Sequence, residues 1–175
     1  MNADRVPLAL VLNDDERTFQ VRMHDSLLDV LRREGCTGVK RVCETADCGA
    51  CSVLMDGLLV DSCTTLALQA EGRRIETIEG LAMAGELHPL QRAFLRHAAA
   101  QCGYCTPGMI LTLRALLDRN PAAGEAEIRE AMTLCRCTGY ARPVAATLEY
   151  QAELQRETPS RRGAATPRPG ETGLP

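Results

Sequence analysis

Aromatic residues are scarce in this chain, making up 3% of its 175 residues, and tryptophan is absent. That scarcity argues against a surface on which nucleic-acid bases stack. An excess of positive charge is also lacking, because 20 lysines and arginines are outnumbered by 23 aspartates and glutamates, which leaves a net charge of -3. A chain with this balance has no basic surface for a phosphate backbone, so nucleic acid is not an expected partner.

Long apolar runs are also missing, and none approaches the roughly 20 residues that a membrane-spanning helix needs. The N-terminal apolar stretch ends after a few residues and lacks the pattern of a signal peptide. These features predict no membrane span and a cytoplasmic location. The motifs G-x-G-x-x-G, Walker A, H-E-x-x-H and G-x-S-x-G do not occur, so no substrate turnover is expected from this chain alone.

What the sequence does contain is nine cysteines. In a reducing cytosol, clustered cysteines bind metal more often than they form disulfides. Four of them follow the pattern C-x4-C-x2-C-x11-C, which begins with the spacing of plant-type [2Fe-2S] ferredoxins. These are Cys43, Cys48, Cys51 and Cys63. Two disulfides or a zinc site are the alternatives; the odd total disfavours the first, and the C-x4-C-x2-C run fits paired zinc units less well.

A second set combines C-x2-C with C-x-C and consists of Cys102, Cys105, Cys135 and Cys137. Residues two apart on an extended segment project to one side, so the last two thiols can face one metal centre. By spacing alone, a tetrahedral zinc site remains an alternative to a second [2Fe-2S] cluster. Thr106 and Pro107 have the pattern of a helix cap and first turn, which predicts a helix N-terminus beside Cys105 whose dipole favours a reduced cluster.

Local patterns divide the chain into two small domains and a tail. Alternating apolar residues and turn signals predict short strands over residues 6–12, 17–23, 52–55, 58–62 and 74–78. Asp25 or Ser26 is the predicted cap of one short helix that presents Leu27, Leu28 and Leu31 and stops near Gly35. Residues 36–51 are predicted to form a loop in which Gly49 allows a tight turn.

After Gly80 the apolar spacing becomes helical, and four helices are predicted. Their apolar positions are Leu87, Leu90, Phe94 and Ala98; Met109, Leu113 and Leu116; Ile128 and Met132; and Val144, Leu148 and Ala152. We therefore predict a ferredoxin-like domain over residues 1–79 and a helical [2Fe-2S]-binding domain over residues 80–156. Residues 157–175 contain four of the nine prolines and are predicted to form a disordered tail.

Several segments together resemble the small iron-sulfur subunit of the xanthine dehydrogenase family of molybdenum hydroxylases. Members of that family include aldehyde oxidoreductases, isoquinoline oxidoreductase and aerobic carbon monoxide dehydrogenase. The segments are TGVK at 37–40, DCGACSVL at 47–54, HPLQ at 88–91, QCGYCTPGM at 101–109 and LCRCTGY at 134–140. The resemblance covers roughly residues 6–154, and both cysteine sets occur within it in order.

The resemblance implies an α+β fold, with an N-terminal β-grasp ferredoxin-like domain followed by an all-α four-helix-bundle domain. It implies two [2Fe-2S] clusters, which relay electrons from a molybdopterin centre in a large partner subunit. The helical-domain cluster receives electrons first, and the ferredoxin-like cluster passes them to FAD in a medium subunit or to another acceptor such as a cytochrome. Gln101 matches the glutamine that contacts the pterin in the family, whereas the residues alone suggest a surface position at a helix end. A periplasmic location is expected only if a partner carries the export signal.

Three positions depart from the family pattern or stand outside it. Val42 occupies a place where glycine is usual, which predicts backbone strain if φ is positive there. Ala98 also replaces a common glycine. Cys36 is left over from the two sets and is interpreted as a small buried apolar residue rather than a ligand. Two other functions remain open from the sequence: a stand-alone ferredoxin and, less favoured, a zinc-stabilised interaction module.

Overall fold

A five-stranded mixed sheet forms the first half of the computed structural model, which describes residues 5–82 and 85–157. The strands are β1 Arg5–Leu12, β2 Asp15–Arg22, β3 Ser52–Met55, β4 Leu58–Asp61 and β5 Arg74–Glu76. Their order is β2-β1-β5-β3-β4, in which β1 and β5 are parallel and the other neighbours antiparallel. The sheet confirms the predicted strands, although β5 ends two residues earlier than expected.

Two hairpins, β1–β2 and β3–β4, join neighbouring strands, and each has a two-residue turn. Asp56 and Gly57 have φ of 50° and 80°, which is the left-handed backbone that tight hairpin turns require. The first turn is shorter than predicted, because Asn13 and Asp14 alone reverse the chain, with φ of 50° and 71°. Asp15 and Glu16, expected in this turn, already belong to β2.

Helix α1, Leu27–Arg33, packs on the sheet and begins as the sequence predicts. Ser26 is the cap: its hydroxyl accepts a hydrogen bond from the Asp29 N–H, and the Asp29 carboxylate accepts one from the Ser26 N–H at 3.0 Å. Asp25, the other candidate cap, instead forms an ion pair with Arg33 at 3.2 Å. Leucines of α1 and alternating residues of β1 and β2 together fill the first core.

The second half contains the four predicted helices, which are α2 Pro89–Arg96, α3 Thr106–Arg119, α4 Glu125–Glu130 and α5 Ala141–Glu157. Some of their ends differ from the prediction. Leu87 and Ala98 lie outside α2, and Met132 lies beyond α4 although it is buried in the second core. Thr106 is the first residue of α3 rather than its cap, and Cys105 occupies the cap position without a side-chain hydrogen bond.

Two cores, one per half, meet along α3, which packs against β3 and β4. Arg114 of α3 forms an ion pair with Glu76 of β5. At the start of α2, His88 Nδ1 accepts a hydrogen bond from the Leu90 N–H at 3.2 Å, so His88 caps this helix. Burial lowers the pKa of His88 to about 4, so the ring stays neutral and can accept this bond.

No helix in the described ranges has the length and apolar character needed to cross a membrane. The predicted tail after residue 157 lies outside the described residues.

Candidate metal centres

The segment 36–51, which follows α1 and contains Cys43, Cys48 and Cys51, is a loop with neither helix nor strand, as predicted. Its turns rest on left-handed residues, namely Glu44 at φ 59°, Ala46 at 62° and Gly49 at 69°. The expectation for Gly49 is therefore confirmed. The strain considered for Val42 is absent, because its φ is not positive and its side chain is exposed.

The thiols of the first set meet in two pairs. Cys43 lies within hydrogen-bonding reach of Cys48, and Cys51 within reach of Cys63. The hairpin of β3 and β4 positions the last two, since Cys51 directly precedes β3 and Cys63 follows β4. Cys48 and Cys51 are buried, whereas the other two are partly exposed.

The second set also forms two pairs, between the loop that precedes α3 and the loop that precedes α5. Cys137 Sγ lies 3.5 Å from Cys102 Sγ, and both residues are exposed. Cys105 lies within hydrogen-bonding reach of Cys135, and both are partly buried. One thiol from each loop thus contributes to each pair.

The surroundings of these thiols perturb their pKa values in opposite directions. Backbone N–H groups of Thr45 and Cys48 donate to the Cys43 sulfur and lower its pKa to about 6. Burial works against ionisation of Cys135, but hydrogen bonds from the hydroxyl and N–H of Thr138 outweigh it and lower the pKa to about 7. Donors of this kind stabilise a sulfur that carries negative charge, as a thiolate ligand does.

Two other thiols are stabilised in the neutral form. Burial raises the pKa of Cys51 and that of Cys105 to about 12 each. A metal centre that binds these residues must therefore supply enough positive charge to displace their protons.

Paired thiols fit a two-iron cluster. Each iron of a [2Fe-2S] cluster has four sulfur ligands, of which two are bridging sulfides, so each iron takes two thiolates. Within the part of the chain that the structure describes, no group of three or more Cys, His, Asp or Glu surrounds a site for one ion. The eight thiols would therefore fit two [2Fe-2S] clusters, with four thiols in each region.

Hydrogen bonds join the two cysteine regions directly, and the sequence does not predict them. The Leu134 N–H donates to the Cys48 carbonyl at 3.0 Å, and the Thr133 hydroxyl donates to the Gly49 carbonyl at 3.4 Å. Leu134 adjoins Cys135, so a single residue and one hydrogen bond separate two candidate ligands of different clusters. No local pattern signals a contact between segments more than 80 residues apart.

The two remaining candidate residues, Gln101 and Cys36, differ in their exposure to solvent. Gln101 is exposed next to the exposed Cys102. Cys36 is 6% exposed in the first core, where burial raises the pKa of its thiol. It packs among the apolar residues around α1, as its interpretation requires.

Two family models match this chain in succession. Residues 10–81 match the 2Fe-2S iron-sulfur cluster binding domain, and residues 77–148 match the [2Fe-2S] binding domain. Each model therefore contains one of the two cysteine sets.

Two curated relatives are similar to this chain over most of their own length. The chain is 45% identical to the small subunit of nicotine 6-hydroxylase from Paenarthrobacter nicotinovorans, over 87% of this chain and 93% of that protein. It is also 45% identical to the small FeS subunit of nicotinate dehydrogenase from Eubacterium barkeri, over 86% of this chain and 97% of the relative.

Solved structures of related oxidoreductases are also similar to this chain. Quinoline 2-oxidoreductase from Pseudomonas putida 86 contains a chain that is 44% identical, with a TM-score of 0.82 over 88% of this chain and 98% of that one. In aldehyde oxidoreductase from Desulfovibrio gigas, at 39% identity and a TM-score of 0.81, the similar region is 18% of a longer chain. Both domains and their order agree with these relatives, and the chain belongs to the family of small [2Fe-2S] iron-sulfur subunits of molybdenum hydroxylases.

Proposed function

We propose that eight cysteines of this chain hold two [2Fe-2S] clusters and that these relay electrons from a molybdopterin centre in a partner subunit to a separate acceptor. The chain is an oxidoreductase component, and its relatives are named as small subunits of larger complexes. The bound clusters supply the one-electron redox chemistry. The polypeptide positions them, donates hydrogen bonds to their sulfur ligands and controls their exposure to water.

The observation that supports this function best is the arrangement of eight thiols as four pairs in two regions. In the first region the ligands are Cys43 with Cys48 and Cys51 with Cys63. In the second they are Cys102 with Cys137 and Cys105 with Cys135. Each region therefore provides the four thiolates of one cluster in a form that divides equally between two irons.

The exposure of the second set gives the relay a direction. Cys102 and Cys137 are exposed, and so is Gln101 beside them, so this end of the molecule is open to a partner. We assign to Gln101 the contact with the pterin in the large subunit. Electrons then enter at the helical domain, and the Leu134 to Cys48 hydrogen bond lies between the two ligand sets.

The acceptor lies beyond the ferredoxin-like cluster. We propose FAD in a medium subunit, with a cytochrome as the other acceptor of this class. We also propose a cytoplasmic location, because clusters of metal-binding cysteines are more usual in a reducing compartment than disulfides are.

Metal and sulfide analysis of the purified full-length chain tests the function. We expect visible absorbance, together with iron and acid-labile sulfide equivalent to two [2Fe-2S] clusters. Cys63→Ala and Cys135→Ala should each lose one cluster and keep the other. A large molybdenum-containing subunit should co-purify from the native host, which distinguishes a subunit from a stand-alone ferredoxin. Stoichiometric zinc without sulfide would refute the proposal.

A further inference from the structure

The two cysteine regions also approach each other closely at a glycine. Gly108 is the third residue of α3 and is buried against the loop that contains Cys48 and Cys51. A Cβ atom at Gly108 would lie 2.3 Å from the Gly49 carbonyl oxygen and 3.2 Å from the Ala50 Cα. Both are backbone atoms, so no side-chain rotation could make room for it.

A helix does not favour glycine at this position. Glycine in the body of a helix is destabilising relative to alanine, because its backbone loses more freedom on folding. The close approach of two backbones offers a reason for Gly108, since any larger residue forces the start of α3 away from the cysteine loop. Gly49 is confined from the other side, where its own Cβ would lie 3.1 Å from the Thr133 hydroxyl oxygen.

Tyr104 makes a second contact between the same two regions, at their exposed edge. It lies between Cys102 and Cys105, and its hydroxyl donates to the Arg41 carbonyl at 3.2 Å. The Lys40 ammonium lies 5.4 Å from the centre of its ring, which is a cation–π distance. Lys40 and Arg41 lie in the loop of the first set, shortly before Cys43. We name these contacts, of Gly108 with Gly49 and of Tyr104 with Lys40 and Arg41, the loop seam.

We propose that Gly108 is a positioning residue that sets the separation of the two clusters. Tyr104 keeps the two cysteine regions in contact at the exposed edge of the loop seam. The inference rests on the proposed function, because it requires both clusters to be present. Close-packed interiors transmit displacement. If the start of α3 moves away from the loop of the first set, Cys105 therefore moves away from Cys48 and Cys51. Magnetic interaction between two reduced clusters and electron transfer between them both weaken as their distance grows.

Gly108→Ala in the full-length, cluster-loaded chain tests this inference, with Gly124→Ala as the matched control. Gly124 lies in the same domain and has a φ of -72°. A Cβ atom added there would have open space around it, with no other atom within 4 Å. Iron and sulfide content are measured first. The electron paramagnetic resonance spectrum of the dithionite-reduced chain then reports the interaction between clusters as a splitting of their signals. We expect Gly108→Ala to keep both clusters and lose much of the splitting, while Gly124→Ala resembles the wild type.

Tyr104→Ala provides the second arm, because an exposed side chain can be removed without disturbing the core. It should reduce the splitting, and Tyr104→Phe, which keeps the ring over Lys40, should reduce it less. If Gly108→Ala fails to take up clusters, the result for Tyr104→Ala decides. An unchanged splitting in cluster-replete Gly108→Ala, or in Tyr104→Ala, overturns the inference. A wild-type chain without two clusters would overturn the proposed function instead.

Discussion

Ala98 adopts a backbone conformation that alanine disfavours. Its φ is 47°, and it directly follows the last turn of α2. The Ala98 N–H donates to the Leu95 carbonyl at 3.0 Å, and the Ala99 N–H donates to the Phe94 carbonyl at 2.9 Å. These two bonds form a Schellman motif, in which the left-handed residue is usually glycine.

Replacing Ala98 by glycine should therefore stabilise the chain. A left-handed conformation costs an L-residue about 1–2 kcal/mol, and part of this gain is lost to the greater freedom of glycine in the unfolded chain, which leaves about 1 kcal/mol. The melting temperature of the cluster-loaded chain should rise in Ala98→Gly. The control is Ala126→Gly, an exposed position within α4, which should lower it. A lower melting temperature in Ala98→Gly would contradict the assignment of strain.

The two departures from the family pattern show what residue type alone can predict. The resemblance implies glycine at both Val42 and Ala98, yet of these two only Ala98 has a positive φ. The sequence identifies such positions but does not reveal the dihedral angle, which depends on where the chain must go next. After α2 it must reverse toward Cys102, whereas Val42 lies in an exposed loop with room to adopt an ordinary conformation.

Cys36 should be dispensable for cluster assembly. Its thiol packs in the first core at 6% exposure, and the other eight cysteines already supply two sets of four. Cys36→Ala is expected to leave iron and sulfide unchanged and to lower the free energy of unfolding by about 1 kcal/mol, because a buried sulfur is lost. Cys51→Ala, at 2% exposure, is the matched control and should lose one cluster. Loss of a cluster in Cys36→Ala would make it a ligand.

At the scale of elements, local chemistry predicted most of the fold. Asp56 and Gly57 specify a turn because both must have positive φ, and Ser26 with Asp29 specifies a helix start through reciprocal hydrogen bonds. Apolar spacing alone places some helix ends too late in the sequence. Met132 is buried, but the chain has already left α4 there and is turning toward Cys135.

Contacts between distant elements could not be predicted in this way. The parallel pairing of β1 with β5 joins residues more than 60 positions apart, and neither strand contains a signal for the other. The same holds for Arg114 with Glu76 and for Leu134 with Cys48. Both cysteine sets were predicted because spacing encodes ligand geometry within a loop, whereas the distance between the sets depends on how the two cores pack.

At the scale of the whole molecule, the two ligand sets differ in their access to solvent. The second set presents Cys102 and Cys137 at the surface, while Cys48 and Cys51 of the first are buried. Tyr104 and Leu134, which adjoin the second set, are 49% and 62% exposed. Exposed apolar groups beside a redox centre are typical of a surface that a partner covers. We therefore expect electrons to enter through the second set.

The order of electron flow can be tested in the assembled complex with one variant for each cluster. Cys48→Ala removes the ferredoxin-like cluster, which is the far cluster because we expect it to be the more distant one from the molybdopterin centre. Reduction of the helical-domain cluster, the near cluster, by substrate should persist while delivery to the acceptor stops. Cys137→Ala removes the near cluster, and reduction of the far one by substrate should then fail. A compound that reduces both clusters in the wild-type complex is identified first.

The readout is the electron paramagnetic resonance signal of each cluster after that compound is added without oxygen. Folding and assembly of both variants are established beforehand by circular dichroism and by co-purification with the large subunit, because losing a metal centre can unfold a small domain. Dithionite, which needs no partner subunit, serves as the control reductant and should reduce the remaining cluster in each variant. Rapid reduction of the far cluster by substrate in the Cys137→Ala complex would show that electrons can bypass the exposed set and that the assigned order is wrong.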